Sequence, residues 1–478
     1  MPHGYEVMRD SFKKKGLPDK AAKKKAAMIW NSKHKSNPVT RAKHEAFCSF
    51  IKNFEEEHGI KRSDDVLHSY DDQIRNVSKD LGQEVHLVGG PVRDAIMGRK
   101  SKDTDMVTVG GLQNIHNKGW KNIKKDFPVF THKDHPGVEL ALGRGEKKTG
   151  AGHSDFDWNE APDLKTDLSR RDFTINAMAY HPDKGITDPH GGRQDIEKKT
   201  LRHVGAAFSD DALRTLRGAR FSSQLDFNVD PDTVTQFTKT NNELKNVSKE
   251  RVRGEVEKAM ATKNPSRFFK TLGQSKSLGH WFPEIEKTVG VPAGPAIKHP
   301  EGDTFNHSMH AVDYAASKGH DAKTRMFALT HDLGKAETPK DQWPSHQGHE
   351  KITKPAADLV GRLGYGKSDV RDVETHGRHH MLPHAPKLRP GTVVDYYRGV
   401  KNIVGQHLDA VTADSNAKGL PDQGEPKSVT NLRGAFKAIK DTSIEPNTPV
   451  EKIKSKQAQA VKHHMREAFC NFMKMYKE

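Results

Sequence analysis

Residues 87–105 read LVGGPVRDAIMGRKSKDTD, and the order of residue types in this stretch indicates how the first half of the chain folds. The apolar residues around its start predict a short strand that ends at Gly89 and Gly90. Pro91 is typical of the first turn of a helix, which then carries Arg93. Backbone N–H groups at a glycine turn and a helix start can bind phosphate, so the stretch predicts an anion site at this turn.

The next predicted strand, DTDMVTVG at residues 103–110, carries two carboxylates. Asp103 and Asp105 are two residues apart, so on a strand their side chains point to the same face. Oxygen ligands of this kind suit Mg²⁺ bound to a nucleoside triphosphate, and paired metals can activate a 3′-hydroxyl and steady a leaving pyrophosphate. A lone Asp-x-Asp is usually a solvated surface pair. Here the motif follows a strand, a glycine pair and a helix within 22 residues, and this combination indicates a metal site far more specifically than the motif alone.

The sequence pattern after this stretch predicts further strands and then helices. FPVFTH at 127–132 and GVELALG at 137–143 predict two further strands, and the pattern becomes helical between about residues 200 and 286. The Gly-rich, polar segment KKTGAGHSDFDW at 147–158 predicts a mobile loop, and the Pro/Gly cluster VGVPAGPAIKHP at 289–300 predicts a domain boundary. We therefore expect an α+β fold, in which a mixed sheet with helices is followed by helical regions.

Composition excludes a membrane-spanning chain. Of the 478 residues, 33% are hydrophobic and 30% are charged, and the mean hydropathy is −0.85. No apolar run approaches the ~18 residues that a membrane span needs, and no segment near the N-terminus resembles a signal peptide. The two cysteines, Cys48 and Cys470, form neither a metal-ligand spacing nor a disulfide framework. We expect a reducing, cytoplasmic setting and no membrane partner.

The formal net charge of +16 predicts a polyanionic partner, because Lys and Arg displace the counterions condensed on phosphates. Residues 1–47 hold twelve Lys and Arg against four Asp and Glu, a net charge of +8, and predict a basic arm with short Lys-rich helices around 19–32 and 40–58. A merely solubilising tail is the alternative explanation of this segment.

Five motifs, in order and spacing, resemble one enzyme superfamily. LVGGPVRDAIMGRKSKDTD, RRDFTINAMAY, DPHGGRQD, DDALRTLRGARF and ERVRGE are similar to those of the class II CCA-adding enzymes and bacterial poly(A) polymerases, over roughly residues 84–290. The resemblance implies a nucleotidyltransferase palm followed by helical neck, body and tail regions. It implies that Asp103 and Asp105 hold Mg²⁺ and that Glu139 is a third catalytic-site carboxylate. It further implies that the incoming nucleotide is bound by Gly90, Arg93, Arg171, Arg217 and Arg220.

Asp211 and Arg214 are candidates for nucleotide selection. Three residues apart on a predicted helix, they share a face, and without context an ion pair is the simpler interpretation. Cytosine and adenine each offer an amino donor beside a ring-nitrogen acceptor, which an Asp acceptor next to an Arg donor complements. Guanine and uracil present the reverse pattern and would leave buried groups unpaired. The family motif is usually Glu-Asp-x-x-Arg, and this chain has Asp210 where Glu is expected.

The His-rich region after residue 296 resembles an HD-type phosphohydrolase. The chain has 28 histidines, and His307, the pair His331 and Asp332 within ALTHDLGK, and Asp414 occur in the order expected of that family. Imidazoles and carboxylates suit a divalent transition metal, with Ni²⁺ among the candidates, and such a metal can activate water toward phosphate. Further candidate second-metal or phosphate-contacting groups are His346, His349, His380 and His384.

Residues 84–420 together resemble the bacterial CCA-adding enzymes that carry an HD domain. The resemblance implies addition of C, C and A to the tRNA 3′ end from CTP and ATP, with phosphatase, 2′-nucleotidase and 2′,3′-cyclic phosphodiesterase activity in the HD domain. We expect a monomer or homodimer. The chain then divides into a basic extension, a palm, a helical neck and body, an all-α HD domain and a basic helical tail, at residues 1–80, 81–200, 201–295, 296–420 and 421–478.

Two alternatives stay open on the sequence. Poly(A) or A-only polymerases share the palm motifs, although the predicted loop at 147–158 and the HD region favour CCA addition. The second alternative is an RNA-end phosphohydrolase with an inactive palm. The intact pair Asp103 and Asp105 and the arginine set argue against it.

Overall fold

The computed structural model describes residues 63–123, 128–148, 156–385, 387–443 and 448–475. The chain divides into two compact units, of which the smaller contributes residues 63–69 and 94–100 to this description. Its helix α1 spans Ser63–His68, and the hydroxyl of Ser69 donates to the carbonyl of Val66 at 2.7 Å. The Lys-rich helices predicted around 19–32 and 40–58 lie outside the described residues.

A seven-stranded mixed sheet, in the larger unit, has the strand order β3-β4-β5-β2-β1-β8-β9. Strands β2 and β5 are parallel, and every other neighbouring pair is antiparallel. The four strands predicted from the sequence are confirmed. The strands of this sheet are β1 Val85–Val88, β2 Thr104–Thr108, β3 Lys121–Asn122, β4 Val129–His132, β5 His135–Leu142, β8 Ala179–His181 and β9 Gly185–Thr187.

Helices pack on the sheet through apolar residues at helical spacing. Helix α2, Asp71–Leu81, buries Ile74, Val77 and Leu81, which lie on one face. Gly192 begins helix α6 at a close approach, because a Cβ there would lie 2.3 Å from the carbonyl oxygen of Thr174. The other helices of this region are α3 Gly90–Ile96, α4 Leu112–Asn117, α5 Leu164–Ser169 and α6 Gly192–Glu197.

The segment predicted as a mobile loop at 147–158 is a strand at each described end. Strand β6, Arg144–Lys148, pairs antiparallel with β7, Phe156–Glu160. The prediction was wrong for these ends because it weighed the central glycines and overlooked the aromatic residues after them, which strands favour. The residues between the two strands, 149–155, lie outside the described residues.

The helical pattern predicted from about residue 200 to 286 is confirmed. Helices α7 to α11 span Leu213–Leu225, Pro231–Lys239, Lys249–Met260, Ser266–Gln274 and Pro283–Glu286, beside a short parallel pair of β10, Thr200–Leu201, and β11, Asn228–Val229. Phe268, Phe269 and Phe282 pack edge to face with ring centroids 5.1–5.8 Å apart. This arrangement is the favoured geometry of aromatic pairs, and it fixes the helices in one core.

Within the described part of the chain after residue 300, eight α-helices follow and share a hydrophobic core with the preceding ones. No helix among the described residues is long and apolar enough to cross a bilayer. The eight helices are α12 Thr304–Ser317, α13 Ala322–Thr330, α14 Lys354–Arg362, α15 Lys367–His379, α16 Pro390–Val400, α17 Val404–Ser415, α18 Lys427–Lys440 and α19 Val450–Met475.

Candidate active sites

The glycine turn lies between β1 and α3 and is flanked by two arginines. Gly89 has a φ of +72°, a left-handed conformation that favours glycine. A Cβ at Gly89 would lie 3.1 Å from Nη1 of Arg171, and a Cβ at Gly90 would lie 3.6 Å from Nη2 of Arg93. Both guanidinium groups therefore lie against a turn whose geometry suits an anion. The structure brings together the predicted residues Gly90, Arg93 and Arg171.

Asp105 and Glu139 are partners in the register of the parallel strands β2 and β5. Aligned residues on adjacent strands lie about 5 Å apart in the sheet and share a face. Asp103 is exposed and immediately precedes β2, which begins at Thr104, so the expectation that both aspartates lie on the strand was wrong for Asp103. Asp105 and Glu139 thus offer carboxylate oxygens from two adjacent strands, with Asp103 two residues before Asp105, and oxygen donors of this kind suit Mg²⁺.

Asp167 positions the arginine that covers the glycine turn. Its carboxylate lies 2.6 Å from Nη2 of Arg170 and 3.0 Å from Nη2 of Arg171, and its side chain is fully buried. Burial raises the pKa of Asp167, but the two arginines outweigh it and hold the pKa at about 2. Sequence reasoning missed this residue, although spacings of three and four before a pair of arginines are a recognisable signal.

A hydrogen-bonded network links the turn to helix α7. Arg93 donates to the side-chain oxygen of Asn176 at 2.8 Å, and the Asn176 amide donates to Asp172 at 3.1 Å. The other oxygen of Asp172 accepts from Arg217 at 2.6 Å. Burial raises the pKa of Asp172, but Arg217 outweighs it and holds the pKa at about 2. Residues of RRDFTINA therefore hold Arg93 and Arg217, which the sequence had assigned to the nucleotide.

Three of the predicted arginines surround one aromatic ring. The guanidinium carbons of Arg220, Arg93 and Arg217 lie 3.8, 5.3 and 5.6 Å from the ring centroid of Phe221. A cation over the face of an aromatic ring is attracted by its quadrupole. Arg220 also pairs with Glu255 of helix α9, the last residue of the motif ERVRGE. The ring and these carboxylates offset the mutual repulsion of the clustered cations.

Asp211 and Arg214 are arranged differently from the prediction. Helix α7 begins at Leu213, so Asp211 precedes it in extended conformation and accepts from the Leu213 backbone N–H at 3.0 Å. Asp211 also lies 3.5 Å from Nη2 of Arg251. Arg214 donates to the carbonyls of Ala207 and Arg170, at 2.6 and 2.7 Å. The expectation that both residues share a helix face was wrong, because the Asp side chain caps the helix start instead of continuing it.

The four predicted HD residues converge. One ligand atom each of His307, His331 and Asp414 lies within 4.8 Å of the others. Nε2 of His307 is 2.9 Å from Oδ1 of Asp414, and Nε2 of His331 is 3.2 Å from Oδ2 of Asp332. His307 lies in helix α12, His331 and Asp332 directly follow α13, and Asp414 lies in α17, more than 100 residues after His307 in the chain.

A second ligand group shares Asp332 with the first. Oδ1 of Asp332 lies 3.1 Å from Nε2 of His349 and 3.5 Å from Nε2 of His380, and all three residues are buried. Oδ2 faces Nζ of Lys335 at 2.6 Å. His349 and His380 were among the candidate second-metal residues, and the structure places both here.

The remaining two candidate histidines differ in their surroundings. His384 lies 3.1 Å from Oδ2 of Asp414, and it lines a cavity of about 350 Å³ together with Asp332, His349, His380 and Lys335. His346 faces Thr338 at 2.6 Å and the carbonyl of Pro292 at 2.8 Å, and is fully buried. His346 therefore has a structural role in this arrangement.

The HD residues fit a divalent metal ion. Nε2 of His331 is buried and has no hydrogen-bond partner among the described residues, which is unfavourable unless a cation or water meets it. Burial lowers the pKa of His331, but Asp332 and Asp414 outweigh it and raise the pKa to about 10. The carboxylates thus create a strongly negative potential at this point, and mixed nitrogen and oxygen donors suit a transition metal.

Family models and relatives agree with this architecture. The Poly A polymerase head domain matches residues 85–202, and the probable RNA and SrmB-binding site of polymerase A matches residues 226–288. The chain is thus a nucleotidyltransferase with a poly(A) polymerase head. It is 41% identical to the multifunctional CCA protein of Nitrosococcus oceani over 377 residues. These residues make up 76% of this chain and 92% of the relative. The chain belongs to the multifunctional CCA protein family.

Other proteins extend the comparison. The multifunctional CCA protein of Methylococcus capsulatus is 43% identical over 319 residues, which are 65% of this chain and 75% of the relative. The fold is similar to that of the Bacillus stearothermophilus CCA-adding enzyme in complex with CTP, with a TM-score of 0.56, 19% identity and coverage of 85% of this chain and 98% of that one. The Thermotoga maritima CCA-adding enzyme complexed with tRNA has a TM-score of 0.54, 17% identity and coverage of 85% and 99%.

Proposed function

We propose that this chain adds C, C and A to the 3′ end of tRNA from CTP and ATP, without a nucleic-acid template. The observation that carries the proposal is the register of Asp105 against Glu139, beside a glycine turn covered by Arg171. Membership in the multifunctional CCA protein family supports it. So do the similar folds of CCA-adding enzymes described in complex with CTP, ATP and tRNA.

The palm residues divide the chemistry among themselves. Asp103 and Asp105 would hold Mg²⁺, with Glu139 as a third carboxylate, and bound Mg²⁺ would supply charge neutralisation and activation of the 3′-hydroxyl. Arg93 and Arg171, at the glycine turn, would bind and orient the triphosphate. Arginines suit this task because their planar forks match phosphate oxygens.

The base is selected by Asp211 and Arg214 in this proposal. Arg214 now donates to two backbone carbonyls, and Asp211 lies beside Arg251. A nucleotide base would therefore have to replace the present partners of Asp211 and Arg214. The enzyme would select the base whose hydrogen-bonding groups replace those partners best. Cytosine and adenine offer that replacement, because each pairs an amino donor with a ring-nitrogen acceptor.

A second activity, hydrolysis of phosphate esters at RNA ends, is favoured by the buried Nε2 of His331. This atom has no hydrogen-bond partner among the described residues, although Oδ2 of Asp332 lies 3.2 Å away. His307, His331, Asp332 and Asp414 would hold a divalent transition metal there, and such a metal supplies an activated water when bound. His384 and Lys335 line the same cavity and would contact the phosphate. Damaged RNA ends that carry a cyclic or terminal phosphate cannot accept a nucleotide, so the two activities suit one chain.

The test offers each radiolabelled nucleoside triphosphate to tRNA that lacks CCA, CA or A. We expect CTP to add two residues to tRNA lacking CCA and one residue to tRNA lacking CA. ATP alone should add one residue to tRNA lacking A, and CTP together with ATP should complete all three substrates. Incorporation of A alone would establish an A-only polymerase. No incorporation, together with metal-stimulated hydrolysis, would establish a phosphohydrolase with an inactive palm.

A further inference from the structure

A compact group of His and Asp side chains lies at the β4–β5 turn of the palm sheet. His132 is the last residue of β4, His135 is the first of β5, and Asp80 lies near the end of helix α2. One ligand atom of each lies within 4.8 Å of the others. Helix α2 and the turn are about 50 residues apart in the chain, so the group joins two separate parts of the palm.

An indole ring holds both imidazoles in place. Trp120 stacks on His135 with centroids 5.4 Å apart and an angle of 13° between the planes, and it lies 5.4 Å from the ring of His132. The two histidine rings are themselves 5.6 Å apart. Trp120 is 2% exposed, and the side chains of His132 and His135 are 10% and 14% exposed. Rings packed in this way lose little freedom when they bind a ligand.

The polar atoms of the group are incompletely satisfied within the described residues. Oδ2 of Asp80 is buried without a hydrogen-bond partner, although Nε2 of His135 lies 3.5 Å away. Nδ1 of His132 accepts from the backbone N–H of Asp134 at 3.2 Å, and the Asp134 carboxylate lies 3.8 Å away. A buried carboxylate oxygen without a donor is unfavourable, and a cation between the three side chains would satisfy it.

We propose that Asp80, His132 and His135 bind a divalent transition-metal ion at a site separate from the palm carboxylates and from the HD residues. Two imidazole nitrogens and one carboxylate oxygen suit Zn²⁺, Co²⁺ or Ni²⁺ better than Mg²⁺, and three protein ligands leave a position for water. Glu139 lies four residues beyond His135 on β5, about 13 Å along the strand. The ion would therefore clamp α2 to the sheet without taking part in nucleotide transfer.

The first experiment counts bound Co²⁺ by equilibrium dialysis in excess Mg²⁺. The full chain carrying His331→Ala and Asp332→Ala is the reference, because these changes weaken the HD site. Adding His132→Gln and His135→Gln should lower the bound Co²⁺ by one equivalent, whereas His116→Gln, a neighbouring exposed histidine, should change nothing. Asp80→Asn should weaken the binding roughly tenfold or more, as loss of a ligand does at least as much as loss of an outer partner.

The second experiment uses Trp120 as an internal reporter. Bound Co²⁺ quenches indole fluorescence at short range, so Co²⁺ should quench the reference protein, and Trp120→Phe should remove that component while the bound equivalent remains. Co²⁺ should also raise the thermal midpoint of the His116→Gln protein but not that of the protein with both His132 and His135 replaced. Nucleotide addition checks that each variant is folded. Equal Co²⁺ stoichiometry in the folded double-histidine variant and the reference would overturn the proposal.

Discussion

Glu301 accepts a hydrogen bond from His307, with 2.7 Å between Oε1 and Nδ1. Oε1 also lies 2.8 Å from Nδ1 of His299, and the Glu301 side chain is fully buried. Burial raises the pKa of Glu301, but the two histidines outweigh it and hold the pKa at about 2. Because Nδ1 of His307 faces a carboxylate, its Nε2 is directed to Asp414, in the group that we propose to hold the metal ion.

Replacing Glu301 with Gln should therefore weaken metal binding at the HD residues. A partner behind a ligating histidine typically contributes a factor of about 10–100 in metal affinity or activity. We expect the metal concentration needed for half-maximal hydrolysis of a 2′,3′-cyclic phosphate to rise by that factor, with nucleotide addition unchanged. Glu337→Gln, which alters an exposed pair with Lys287, is the control. An unchanged metal dependence would restrict Glu301 to a structural role.

Asp105→Asn should abolish nucleotide addition. The change removes one negative charge from the palm carboxylates that would bind Mg²⁺, while the side chain keeps its shape. The variant should retain hydrolysis at the HD site, measured on the same preparation. Asp232→Asn, which changes an exposed aspartate of helix α8, should leave both activities intact. Near-normal addition by the Asp105 variant would refute the assignment of this carboxylate to Mg²⁺.

Asp211→Ala should relax the choice among nucleotides. Loss of one buried hydrogen-bond partner shifts selectivity by about 1–3 kcal/mol, so the preference for CTP and ATP over UTP and GTP should fall by that amount. The measurement is kcat/KM for all four nucleotides on tRNA lacking CCA. Since Asp211 also caps helix α7 and lies beside Arg251, a lower rate with unchanged nucleotide ratios would point to the capping role alone.

His331→Ala combined with Asp332→Ala should separate the two activities. We expect this variant to lose hydrolysis of 2′,3′-cyclic phosphates and to complete CCA on an intact tRNA. On a tRNA that ends in a cyclic phosphate it should stall, whereas the wild-type protein proceeds. His463→Ala, an exposed histidine of helix α19, serves as the control. Identical behaviour of variant and wild type on both substrates would remove the hydrolase activity.

Asp167 should make the palm sensitive to acid. Its pKa of about 2 in the folded chain is below the ~3.9 of an unfolded aspartate, so its ionised form stabilises the fold above about pH 4. That stability, of order 2 kcal/mol, is lost as the pH falls from about 4 to about 2. Urea unfolding of wild type and Asp167→Asn should give free energies that converge over this window. A constant difference between them would contradict the assigned ion pairs.

The sequence alone determined the local elements of this protein. The strand at Val85–Val88, the glycine turn and helix α3 follow from residues close together in the chain, because turn geometry and helix starts depend on near neighbours. The same holds for the helix that carries Arg217 and Arg220. His331 and Asp332 could be read as metal ligands because adjacent side chains of these types occur in one recognisable motif.

Only the tertiary structure decided which of these residues meet. Glu139 reaches Asp105 through the parallel register of two strands, and Asp332 meets His349 and His380 through the packing of separate helices. Asp211 turned out to cap a helix and to face Arg251, which spacing along one helix could not reveal. Periodicity reports the faces of a single element, whereas contacts between distant segments depend on how the hydrophobic core brings the elements together.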